Sequence, residues 1–107
     1  MSQSKISQLQ LLQQNLQNVL LQKQQLQNKV MEAESALQEI TASEKCYKIL
    51  GHIMVVSAKD DLIKELTEKK EMDSLRLKNY LSQEEKLKRS IDDTQKEVMK
   101  EMKDHEQ

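Results

Sequence analysis

The residues able to do chemistry in this 107-residue chain are two histidines, one cysteine and a few neighbouring acids. His52 and His105 stand far apart in sequence, and neither sits in an HExxH spacing or beside a CxxC pair, so the spacing of a metal site is missing. Cys46 has no histidine close by on its own local element to act as a base, and reads as a packing residue at a helix-to-strand junction. Glu84-Glu85 and Asp92-Asp93 are adjacent on a helix and point in different directions, which makes them poor acid/base dyads. There is no Gly-rich phosphate loop and no nucleophile elbow. These residues predict no enzyme, no catalytic residue, no cofactor and no metal.

The elements that carry these residues are better defined than any chemistry. Only 36% of the chain is hydrophobic and 33% is charged, with no Phe, Trp or Pro. A compact globular core is excluded on that composition, whereas Leu, Glu, Lys and Gln in sustained periodicity are the mark of a coiled coil. The net charge of −1 offers no basic field for nucleic acid or for a membrane surface. Residues 58–107, where an RNA-binding arm would need an excess of Lys and Arg, hold 12 basic and 14 acidic residues. No apolar run is long enough to span a bilayer, Met1 to Lys5 is too polar to begin a signal peptide, and a single cysteine fits a reducing compartment. The expected location is cytoplasmic.

With Leu9 at heptad position a, a seam runs through Leu9, Leu12, Leu16, Val19, Lys23, Leu26, Val30, Ala33, Leu37 and Ile40, broken only by Lys23. A strict 3.5-residue repeat over about five heptads specifies a left-handed supercoil and requires a partner helix. From about Lys59 onward a second stripe contains Ile63, Leu66, Leu77, Tyr80, Leu87, Ile91 and Val98, with Lys70, Asp73, Glu84 and Thr94 at intervening seam positions. Acid-first pairs four apart (Glu65 and Lys69, Glu84 and Lys88, Glu85 and Arg89, Asp92 and Lys96) support a solvated helix. Ser57 followed by Asp60 resembles a capping box and places the helix start near Ala58. Two consecutive helices with apolar seams most simply fold back on one another.

Between them lies CYKILGHIMVV, β-branched, nearly uncharged and holding the only glycine. It predicts a β-hairpin of two strands of about four residues turning near Leu50-Gly51. Strict alternation through the segment places Tyr47, Ile49, Ile53 and Val55 on one face, and Lys48, Leu50, His52, Met54 and Val56 on the other. A lone two-stranded hairpin is marginally stable, so its edges and apolar faces call for copies on other chains. The expected fold is therefore mainly α: a long antiparallel coiled-coil helical hairpin with a short central β-hairpin used for oligomerisation. The expected organisation is a single domain over 1–107, with a helix over 1–44, the hairpin over 46–57 and a second helix over 58–107.

At this point the sequence resembles the β-type subunit of the prefoldin family. The resemblance lies in YKILGHIMV at 47–55, KDDLIKELTEKKEMDSLRLK at 59–78, QEEKLKRSIDDTQKEV at 83–98 and QKQQLQNKVMEAESALQEI in the first helix, and so covers nearly the whole chain. The resemblance implies a hexamer of two α-type and four β-type subunits joined through their hairpins, here Tyr47, Ile49, Gly51, Ile53 and Val55. It implies coiled-coil tips that capture unfolded polypeptide and pass it to a group II chaperonin without using ATP. In an antiparallel hairpin both chain ends meet at the tip, which assigns Ile6, Leu9, Leu12, Val98, Met99 and Met102 to client binding. Lys100, Lys103, Glu101, Asp104 and Glu106 are charged neighbours that a chaperonin could touch. The rival reading is a coiled-coil tether or scaffold zipped along its seams, without chaperone activity.

Overall fold

The structure is a computed structural model that describes the backbone of residues 2–105 and the side chains of 3–104. Glu106 and the side chain of His105, singled out above, lie outside the described residues. Helix α1 spans Ser2–Ala42, strand β1 Cys46–Leu50, strand β2 Ile53–Ser57 and helix α2 Lys59–His105. The chain folds as two units, one of residues 1–24 with 78–107 and one of residues 25–77.

In the first unit α1 and α2 run antiparallel, since Lys5 meets Glu101 while Lys23 meets Glu84. Val19 and Val98 are buried there with Glu84 and Thr94, and Leu9, Leu12, Leu16, Tyr80, Leu87 and Ile91 are half-buried. Each of these is a position of the 3.5-residue stripe. The stripe runs further than the apolar residues do: Lys5 lies four before Leu9 and Glu101 three after Val98, and both are half-buried. Spacing alone could have found them, but their charge hides them from a search for apolar residues.

In the second unit Lys70 reaches Glu34 and Lys59 reaches the Thr41 carbonyl, again an antiparallel arrangement. Leu26, Ala33, Cys46, Leu62 and Asp73 are buried, and Val30, Leu37, Ile40, Ile63, Leu66 and Leu77 half-buried. Leu62 is outside the expected stripe. It joins because at the start of α2 the helix has two neighbours to cover, the last turns of α1 and the root of β1: Leu62, Leu66, Ile40, Ala36 and Cys46 line one hollow of about 630 Å³. No described side chain in either unit is fully buried. Two helices cover each other on one side only, so every seam residue keeps an edge open to water.

Helix α1 ends without the usual glycine or proline. Its last carbonyls are satisfied instead by Ser43, whose Oγ donates to Glu39 O (2.8 Å) and whose N–H donates to Ile40 O (3.1 Å), and by Lys59 Nζ, which donates to Thr41 O (3.1 Å). The start of α2 differs from expectation by one residue. Ser57 belongs to β2, paired with Cys46, and Ala58 O accepts the first helical bond from Leu62 N at 3.0 Å, leaving Asp60 and Asp61 in the first turn where the helix dipole favours acids.

The hairpin is antiparallel with the register Cys46 to Ser57, Tyr47 to Val56, Lys48 to Val55, Ile49 to Met54 and Leu50 to Ile53. The two-residue turn is therefore Gly51-His52, one residue later than expected. Gly51 has φ of +61° and is the one described residue with positive φ, the pattern of a type II′ turn with glycine first. This register corrects the expected faces. Cross-strand partners share a face, and across a two-residue turn an odd-numbered residue always pairs with an even-numbered one. Tyr47 and Ile49 share their face with Met54 and Val56, while Ile53 and Val55 share theirs with Lys48 and Leu50.

Candidate functional site

Two surfaces stand out, and the hairpin is the first. Tyr47, Ile49, Met54 and Val56 are 51%, 68%, 64% and 76% exposed, so one whole face is apolar and uncovered. On the other face Cys46 is buried and Lys48 half-buried, with Lys48 Nζ 2.6 Å from Glu65 Oε1 of α2, while Leu50 and Ile53 near the turn remain exposed. Glu65 thus pairs with the strand instead of with Lys69. Each β-strand also keeps one edge unpaired, since the sheet holds only these two strands. The five residues expected to mediate oligomerisation are divided by the fold: Tyr47 and Ile49 on the bare face, Ile53 and Val55 on the other, and Gly51 in the turn. Met54 and Val56 are the members that straight alternation missed.

The second surface is the end of the first unit where α1 begins and α2 finishes. The six residues expected to bind clients separate into two groups. Val98 is buried and Leu9 and Leu12 are half-buried as seam residues, whereas Ile6, Met99 and Met102 point away from the seam and are exposed, the two methionines by 70% and 56%. The seam itself closes on ions. Lys5 Nζ lies 2.9 Å from Glu101 Oε1 and 3.4 Å from Glu97 Oε2. The hydrogen bond to Glu101, assisted by Glu97 and opposed by partial desolvation, holds the Lys5 ammonium above its ordinary 10.5. Glu101 Oε2 is buried without a partner.

Further along the same unit the two polar seam residues Lys23 and Glu84 find each other. Lys23 Nζ donates to Glu84 Oε1 at 2.9 Å and to Oε2 at 3.2 Å, and Lys88 stands 3.6 Å from the same carboxylate. The Lys23 hydrogen bonds, ahead of the charges of Lys23 and Lys88, hold Glu84 below its ordinary 4.5 against the opposing effect of burial. Glu85 with Arg89 (3.7 Å) and Asp92 with Lys96 (3.1 Å) form the expected surface pairs. Asp73 in the second unit is different: it is buried and its Oδ2 has no hydrogen-bond partner. Among the described residues no group of His, Cys, Asp and Glu is placed to hold a metal, and no helix is long and apolar enough to cross a membrane.

Two long helices with antiparallel seams, joined through a two-stranded hairpin with one bare apolar face, define a helical-hairpin subunit. The prefoldin subunit family model matches residues 3–105. The chain is 41% identical over 90% of its length to prefoldin subunit beta of Archaeoglobus fulgidus, covering 85% of that protein, and 34% identical over the same share to the Sulfurisphaera tokodaii subunit, covering 79% of it. The crystal structure of the prefoldin beta subunit from Thermococcus strain KS-1 superposes with a TM-score of 0.85 at 34% identity, over 92% of this chain and 90% of that one. The chain belongs to the prefoldin subunit family, and is of the β type. That membership makes it a co-chaperone subunit that assembles with other prefoldin subunits.

Proposed function

We propose that this chain is one of four β-type subunits which, with two α-type subunits, form a cytoplasmic hexamer. Through it the coil ends capture unfolded polypeptide and pass it to a group II chaperonin without ATP or catalysis. The observation that carries the reading is the bare hairpin face of Tyr47, Ile49, Met54 and Val56, too apolar to stay in water and too small to fold against anything within its own chain. Exposed Ile6, Met99 and Met102 supply the apolar surface for clients, and methionine adapts its shape to varied partners.

Light scattering coupled to size exclusion tests the assembly, with the chain alone and mixed with an α-type prefoldin subunit. A hexamer-sized species that requires the mixture is expected. A dimer or trimer indifferent to that partner would instead make the chain a coiled-coil tether. For the second half of the reading, removing residues 1–8 and 99–107 should spare assembly and abolish suppression of client aggregation. Undiminished suppression would remove the coil ends from client capture.

A further inference from the structure

The outer face of α2 near its end carries a hollow of about 500 Å³ lined by Met99, Lys100, Met102 and Lys103. Two methionines three residues apart and two lysines three residues apart line it. All four side chains are exposed. Met31, another exposed methionine, borders a hollow lined by Asn28, Glu32 and Ser35, without a lysine.

The surrounding charges decide what this hollow attracts. Glu97 and Glu101, the acids on the same turns, are engaged by Lys5, and Asp92 is engaged by Lys96. Lys100 and Lys103 take part in no ion pair among the described residues, which leaves exposed Asp104 as the one described acid beside them. Helix α1 cannot neutralise them either, because between residues 2 and 22 its only charged residue is Lys5, a cation.

We infer that this hollow is the client contact itself, and that it selects apolar segments carrying a carboxylate at one or both flanks. The inference rests on the client-capture reading and narrows it: the seam residues Leu9, Leu12 and Val98 stay closed, and an outer face of alternating methionine and lysine does the binding. Apolar side chains of the segment settle on Met99 and Met102 while its Asp or Glu meets Lys100 or Lys103. An exposed charge pair adds little affinity in salt but steers approach and discriminates against a cationic flank.

The test uses the full chain in its assembled form and fluorescein-labelled peptides sharing one apolar core, flanked by Asp, Gln or Lys, followed by anisotropy at low and high salt. The Asp-flanked peptide is expected to bind roughly five-fold more tightly than the Lys-flanked one at low salt, with the preference shrinking as salt screens it. K100Q/K103Q should erase the preference and K100E/K103E reverse it, both with unchanged helicity because the residues are exposed. M99S/M102S should weaken all three peptides. Equal binding of the three peptides by the unaltered chain, or a preference untouched by the lysine changes, would overturn the inference while leaving client capture intact. Failure of every peptide to bind, together with undiminished client suppression by the truncated chain, would overturn both.

Discussion

Removing one member of the Lys23–Glu84 pair while keeping the other is the most informative perturbation of this fold. The two side chains are 22% and 10% exposed and sit at seam positions where a coiled coil ordinarily buries apolar groups. Their gross attraction at 2.9 Å is about 6 kcal/mol at an effective dielectric of about 20, and desolvation of both ions cancels most of it. A charge-assisted hydrogen bond leaves a net of about 1.5–3 kcal/mol. Lys23→Met preserves the length of the side chain but strands Glu84 against Lys88 alone, at 3.6 Å. The expected loss is about 2 kcal/mol, below the 3–5 of a fully buried broken pair because Lys23 keeps some contact with water, and it should lower Tm by about 10 °C. Lys23→Leu with Glu84→Leu should match or exceed the unaltered chain, because an apolar layer replaces the ionic one. Urea unfolding of the unaltered chain, Lys23→Leu, Glu84→Leu and the double-leucine chain gives the coupling energy directly. A coupling energy within about 0.3 kcal/mol of zero would refute the reasoning, since additivity to that margin is what independent sites show.

The acid limb of stability carries the same pair. Glu84 has a depressed pKa in the fold, so its contribution is complete above its ordinary value of 4.5 and fades as pH falls through the lower folded value; this limb should flatten in the double-leucine chain when Tm is followed against pH. Asp73→Leu should raise stability by about 1–3 kcal/mol in urea, because it removes a buried carboxylate whose Oδ2 has no donor. Gly51→Ala should cost about 1–2 kcal/mol through the backbone alone, since φ is +61° and an added Cβ meets nothing within 4 Å, and Gly51→Asn should cost less in the same unfolding assay. Ile49→Lys with Val56→Lys places two charges on the bare hairpin face and should leave helicity unchanged while collapsing the assembled mass to that of single chains.

The spacing of apolar residues was enough to place both seams, because a 3.5-residue repeat can be buried along one stripe of a helix and nowhere else. Every seam position named between Leu9 and Ile40, and the polar positions Lys70, Asp73, Glu84 and Thr94, is buried or half-buried. The hairpin was equally legible from its β-branched run and single glycine, but not its faces: alternation carried straight through the segment keeps odd residues together, whereas a two-residue turn, wherever it falls, sets odd residues of one strand beside even residues of the other. The choice of partners was also beyond the sequence. That Lys23 meets Glu84, that Glu65 leaves Lys69 for Lys48 and that Leu62 joins the covered set all depend on how each element is shifted and turned against its neighbour. Periodicity determines which stripe of each helix is buried. The axial shift and facing of two such stripes are determined only when the side chains of both, and of the strands beside them, compete for the same space.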